Sequence, residues 1–306
     1  MCAIISWKGV LPKGLLTQLF LKSERRGHDS TGIAFRQSDS TVSYRQAISA
    51  SEFVSDPENN KFLGDARRSK VGIAHTRRAS PGMPIDNKNA HPFLYWQYFF
   101  AHNGRIQNWR ELRDALVAQF KNVSANSTGG QKETADWCVN YCESARTDSK
   151  ILGPYIHAED FSAVVGCMAL VWLRGENAYV TRMAKEATAA TVVWRYTNPP
   201  KDEPVEDRIV TIVGSTHEII QEAFEGLQRT IDFDLGQFND FPEGVIYRLE
   251  PTGLVEHKHL NPINAVEDEF TSEEVKSDDD SASDPVPGQE DGEETEATVT
   301  KATDKE

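Results

Sequence analysis

Cysteine is scarce: four residues in 306, at Cys2, Cys138, Cys142 and Cys167. None forms a CxxC pair, and no histidine pair follows Cys138 and Cys142 at zinc-finger spacing, so no metal site is expected. So few cysteines in a long chain also exclude a disulfide scaffold and suit a reducing compartment. No apolar run approaches the ~20 residues of a membrane span. No basic segment precedes a long apolar stretch at the start, so no secretory signal is read there. The expected location is the cytoplasm, with no membrane partner. Positive charge is short as well, with 33 Lys and Arg against 47 Asp and Glu and a net charge of −14. Residues 267–306 hold 16 of the acidic residues and three lysines, net −13, which leaves residues 1–266 at −1. The body therefore has no basic stripe of the kind that neutralises phosphates, and nucleic acid is excluded as an expected partner. A GxxxxGK[ST] phosphate loop and a Ser-Gly-Gly pyrophosphatase loop are both missing.

What is present divides into two parts. Residues 1–265 read as one mixed α and β domain. Residues 266–306 are Asp, Glu, Ser, Thr and Pro with few large apolar side chains, too little to offset the ordering entropy of a chain, so a disordered acidic tail is expected. In the body, Cys2–Trp7 reads as a buried strand and Leu11–Arg25 as a helix with Leu15, Leu16, Leu19 and Phe20 on one face. Strands are expected over 32–36, 41–47, 71–75, 98–102 and 208–214. A hairpin is expected over 163–183 and another over 244–259. Helices are expected over 109–120, 134–146 and 217–227, the last capped by Ser215 or Thr216. Apolar strands between helices fit stacked sheets covered by helix layers.

Cys2 opens the first apolar run. Read blandly, it is a small buried hydrophobe. Read for chemistry, removal of Met1 makes it an N-terminal residue that carries a thiol and a free amine together. Four further stretches stand out: R-R-G-H-D-S-T-G at 25–32, A-H-T-R-R-A-S at 74–80, N-A-H-P-F at 89–93 and A-H-N-G-R-I-Q-N at 101–108. Each lies at the end of a short apolar strand. Any one alone is turn chemistry.

Together with Cys2, and in this order, they resemble the class II glutamine amidotransferases, whose pattern reads M-C-G-I, R-G-x-D-S-x-G, G-H-T-R-x-A-T, N-A-H-P and H-N-G-x-I-x-N. The resemblance covers about the first 110 residues. It implies an α+β fold, the four-layer αββα sandwich of the N-terminal-nucleophile hydrolases. It also implies an enzyme that hydrolyses the side-chain amide of L-glutamine through a Cys2 thioester, without a cofactor. Asn103 and Gly104 match the oxyanion hole, Arg26 and Gly27 the pair beside the nucleophile, and Arg77 the arginine that holds the substrate α-carboxylate. Asp29 and His91 read better as residues that hold loops in place.

The chain departs from the pattern at Ala3 and Ala74, at Arg78 where tryptophan is common, and at Ser80, which replaces threonine and keeps a hydroxyl for substrate binding. The family's T-D-S-E or T-D-T-E carries the aspartate that binds the substrate ammonium. Here E-T-A-D-W at 133–137 is placed against it, with Ala135 in strict register, Asp136 one residue later as the expected ligand and Glu133 as a weaker candidate. No synthetase domain is read after residue 265. The leading expectation is a stand-alone glutaminase subunit that supplies ammonia to a separate synthetase. The alternatives are an amidase for another γ-glutamyl-type amide, and an inactive binding module with an acidic docking tail.

Overall fold

A computed structural model of the protein describes residues 2–79, 85–184, 187–196, 209–227, 233–260 and 298–303. The chain folds as two antiparallel sheets face to face, each backed by helices. The eight-stranded sheet contains β1 (Ala3–Lys8), β2 (Ser30–Gln37), β3 (Ser40–Gln46), β4 (Val71–Arg77), β9 (Ala190–Tyr196), β10 (Ile209–Gly214), β11 (Phe233–Leu235) and β14 (Thr298–Thr303). Its order is β11-β9-β10-β1-β4-β2-β3-β14. The six-stranded sheet contains β5 (Phe93–Tyr95), β6 (Tyr98–Ile106), β7 (Gly166–Arg174), β8 (Asn177–Arg182), β12 (Val245–Glu250) and β13 (Gly253–His259). Its order is β13-β12-β8-β7-β6-β5.

Period-two alternation sorts the apolar residues into three cores. Ile4, Ile73, Phe99, Ala101, Val171 and Val213 point between the sheets. Ala3, Ile5 and Trp7 point the other way, against α1 (Leu15–Ser23), α2 (Ala50–Ser55) and α7 (His217–Glu225), and α3 (Pro57–Arg68) joins that layer through Leu63 and Ala66. Phe100, Leu170 and Trp172 pack under α4 (Trp109–Ala125), α5 (Gly129–Glu143) and α6 (Leu152–Ala158). Helix, sheet, sheet, helix is the αββα order expected from the resemblance.

α2 and α3 lie where the sequence reading had no helix. Ser49 and Glu52 form a capping box on α2, and Asp56 caps α3 with Pro57 at its first turn. Most of the acidic tail lies outside the described residues. Its T-V-T-K-A-T segment forms β14, the edge strand that pairs antiparallel with β3, as its run of β-branched residues favours. None of the described helices is long and apolar enough to cross a membrane.

Candidate active site

The site lies at one end of the sheets, where β1 and β4 run side by side. Ala3 pairs with Thr76, so the chain just before Ala3 runs past Arg77 and Arg78. The Cys2 sulfur accepts the Arg78 backbone N–H at 3.4 Å and lies 3.7 Å from the Arg78 carbonyl. Burial pushes the Cys2 thiol up; the Arg78 N–H and the Arg77 charge pull the other way, and the Asp148 carboxylate adds to the rise. A half-buried thiol of this kind needs an adjacent base at the moment it attacks.

Arg26 follows α1 and reaches back to the nucleophile. Its Nε donates to the Cys2 carbonyl at 2.9 Å, and its Nη2 to Thr188 Oγ1 at 3.1 Å. Gly27 lies flat on β4: a Cβ there meets Arg77 C at 2.5 Å and Arg78 N at 2.7 Å. Only glycine lets the 25–32 loop and the Arg77–Arg78 backbone approach this closely. Asp29 completes the clasp, with its N–H on the Arg77 carbonyl at 2.9 Å and its Oδ2 accepting Ala79 N–H at 2.7 Å. Its two bonds are loop-holding bonds.

Alternation along β4 aims Ile73 between the sheets, and Arg77 shares that parity. Arg77 is buried, and its Nη1 has no hydrogen-bond partner among the described residues. An unpaired buried guanidinium nitrogen marks a place for an anion.

Asn103 and Gly104 sit on β6. The amide Nδ2 of Asn103 lies 3.4 Å from both Thr188 Oγ1 and Ser215 Oγ. β6 is flanked by β7 over its whole length but by β5 only over Tyr98–Phe100. Beyond that point one edge of β6 has no neighbouring strand. His75 Nε2 takes the His102 carbonyl on this edge at 3.0 Å, and Asp148 Oδ2 takes the Ile106 N–H at 3.1 Å. The two-residue period puts the Gly104 N–H on the same edge, between them. Gly104 has φ +134°, and a Cβ on it meets Cys167 O at 2.1 Å.

The structure sets Asp136 apart from the residues around Cys2. Asp136 lies on α5, half exposed, its carboxylate bonded to Ser124 Oγ and to Lys132 Nζ at 3.2 Å. No described contact of Asp136 is with the residues around Cys2. Asp148 is within electrostatic reach of Cys2 and stands at the open edge of β6. Burial alone raises its carboxyl. The His102 imidazole and the N–H groups of Ile106 and Ser149 outweigh that and hold it below the usual carboxylate range. T-D-S-K at 147–150 has the same T-D-S letters as the family pattern, with α4 and α5 between it and H-N-G. Ser80 lies outside the described residues.

His75, His91 and His102 stack behind the site, with ring centroids 4.1 Å apart for His75 and His91 and 5.6 Å for His91 and His102. Burial pushes His75 down to about 3 and His91 well below its usual value. Both rings are neutral fillers. Among the described residues no cluster of His, Cys, Asp or Glu is arranged to hold a metal.

Fold and sequence likeness point to one class: the chain is similar to class II glutamine amidotransferase domains. In sequence it is similar to glutamine–fructose-6-phosphate aminotransferase [isomerizing] of Staphylococcus aureus, 32% identical over 131 residues, which are 42% of this chain and 21% of that protein. The enzyme of the same name from Acinetobacter baylyi is 33% identical over 121 residues, 39% of this chain and 18% of that protein. The chain thus spans about a fifth of the length of the curated relatives it matches. In fold it is similar to the B. subtilis glutamine phosphoribosylpyrophosphate amidotransferase, with TM-score 0.51 and 13% identity over 84% of this chain and 49% of that one. A structure described as the allosteric regulatory enzyme of purine biosynthesis gives TM-score 0.53 and 14% identity over the same shares. No family model matches the chain.

Proposed function

We propose that the protein hydrolyses the side-chain amide of L-glutamine, with Cys2 as nucleophile. The observation that carries this reading is the charge pattern around the thiol. A buried, underused guanidinium (Arg77) and a carboxylate held ionised (Asp148) both act on Cys2. One suits an α-carboxylate and the other an α-ammonium, so the site is complementary to a free amino acid whose side chain reaches the sulfur.

The chemistry follows from the residues. Once Met1 is removed, the Cys2 α-amine is a base with a pKa near about 8 on the nucleophile's own backbone. It takes the thiol proton, and the thiolate attacks the amide carbon. The oxyanion that forms is held by the Asn103 side-chain N–H and the Gly104 backbone N–H, each such donor lowering the barrier by about 2.7–4 kcal/mol. The tetrahedral centre collapses, the C–N bond breaks, and the protonated nitrogen departs as ammonia. Water then adds to the γ-glutamyl thioester, releasing glutamate and the Cys2 thiol. Arg26 fixes the Cys2 carbonyl, and Gly27 lets the loop lie against Arg77.

Asp148 offers an ammonium partner without Ala135 or Asp136, which favours glutamine over a different γ-glutamyl amide. The names of the curated relatives join glutamine to an acceptor. This chain supplies the glutamine half, and its ammonia passes to a synthetase on a separate chain.

The test is intact mass after incubation with 6-diazo-5-oxo-L-norleucine, alongside glutamate release from glutamine. Loss of Met1, one adduct on Cys2 and no reaction in Cys2→Ala are expected. Retained Met1 with no glutamate released would leave Cys2 a strand-end residue and the reading refuted.

A further inference from the structure

We infer that Ser215 is a positioning residue that orients the Asn103 amide against the nucleophile's strand; this rests on the oxyanion role given to Asn103 above. Ser215 follows β10 and is fully buried. It does not cap α7, since Thr216 takes that part with its side chain on the Ile219 N–H. The Ser215 hydroxyl is turned to the site instead. It accepts the Ile4 N–H at 2.9 Å, the Ser215 N–H returns to the Ile4 carbonyl at 3.1 Å, and the same oxygen lies 3.4 Å from Asn103 Nδ2. One oxygen therefore ties the residue two positions after Cys2 to the oxyanion donor on the opposite sheet.

The amide of asparagine has two N–H donors. One meets Ser215 and the other meets Thr188 Oγ1, also at 3.4 Å. The two acceptors differ. Ser215 is buried and fixed on both sides by Ile4. Thr188 is exposed and already accepts Arg26 Nη2 at 3.1 Å. The long bond to the exposed hydroxyl is the one an oxyanion displaces, since catalytic bonds tighten only in the reacting complex. Ser215 then keeps the second N–H and stops the amide turning away.

The test is a double-mutant cycle on glutaminase turnover, with rates normalised to Cys2 labelled by 6-diazo-5-oxo-L-norleucine. Asn103→Ala is expected to lower kcat by about a hundredfold or more. Ser215→Ala is expected to lower kcat about tenfold with KM within about twofold, the signature of a misplaced donor. The double variant should turn over no more slowly than Asn103→Ala alone. Losses that multiply, or a Ser215→Ala enzyme with normal kcat, overturn the inference. Thr188→Val carries the test if Ser215→Ala does not fold: it should lose less than about threefold in kcat, and a loss above about tenfold reverses the assignment. An Asn103→Ala enzyme as fast as the unaltered one refutes the oxyanion reading itself, which separates the two failures.

Discussion

The carboxylate of Asp148 accepts the backbone N–H of Ile106 at 3.1 Å, two residues beyond Gly104 on the open edge of β6. That bond fixes the acidic group beside β6, with Oδ1 3.5 Å from the Ser149 hydroxyl. A charge-assisted bond from a substrate ammonium contributes about 1.5–3 kcal/mol, roughly ten- to a hundredfold in affinity. Asp148→Asn should therefore raise KM for glutamine by that factor while kcat moves little. Asp136→Asn breaks only an exposed contact with Lys132 and Ser124 and should leave KM unchanged. Steady-state kinetics of the two variants side by side decides which aspartate serves; the opposite ranking returns the role to Asp136.

Gly104 faces two separate demands. Its φ of +134° is one that side chains rarely adopt, and the Cβ of an alanine would lie 2.6 Å from Met168 Cα as well as against the Cys167 carbonyl. Strain and overlap each cost about 1–3 kcal/mol. Gly104→Ala should lower stability by about 2–5 kcal/mol. The fraction that folds should also turn over slowly, because β6 must shift away from β7 and carry the N–H with it. Denaturant unfolding and normalised kcat measure the two effects. Unchanged kcat in a folded Gly104→Ala protein would remove Gly104 from the oxyanion hole.

The legible parts of this molecule are those in which local pattern and chemistry coincide. β1, α1, β4, β6 and the β7–β8 hairpin follow from apolar periodicity, and ordered motifs single out Cys2, Arg26, Arg77, Asn103 and Gly104, which the fold gathers at one end of the sheets. α2 and α3 were missed although Ser49–Glu52 and Asp56–Pro57 spell helix starts, because each helix buries few large side chains and gives a weak periodic signal. β9 was missed although A-T-V-V-W-R-Y has a strand's composition. Asp148 carries the same T-D-S letters but lies some forty residues downstream of Asn103, beyond α4 and α5, where linear spacing from H-N-G does not point. Ser215 and Thr188 carry no motif. They join the site only because β10 lies beside β1 and the chain before β9 returns to Arg26, a tertiary relation no local window contains.

Arg77 is a buried cation held at some expense to the fold. It is buried, with Nη1 unpaired among the described residues, and a buried cation without a full set of partners destabilises the protein that holds it. Arg77→Met keeps the length and the apolar stem and removes the charge. It should raise KM for glutamine at least about tenfold, the loss of a charged bidentate contact. Tm should hold steady or rise. Calorimetry and kinetics on one preparation test both halves, and a large fall in Tm with an unchanged KM would make Arg77 a structural residue.

The stacked histidines give the protein a pH dependence whose sign can be worked out. Burial drives His75 down to about 3, aided by His102 and Arg77, and drives His91 well below its usual value, aided by His75, His102, Arg77 and Arg45. In the unfolded chain both rings titrate near about 6.5. Between about 6.5 and about 3 the unfolded state therefore binds more protons than the folded state, and stability falls as pH falls. Above that window the two rings contribute no slope. Each contributes up to about 1.4 kcal/mol per pH unit inside it. Asp148 acts further down: its folded carboxyl lies below the ordinary value, so its contribution is lost only as pH drops below about 4. Unfolding free energies in urea at pH 7, 6 and 5 isolate the histidines, because carboxylates barely titrate there. The slope should steepen below pH 6.5, and His75→Gln should remove about one proton's share of it. A flat profile from pH 7 to 5, or an identical slope in His75→Gln, would mean that the rings take up protons inside the fold.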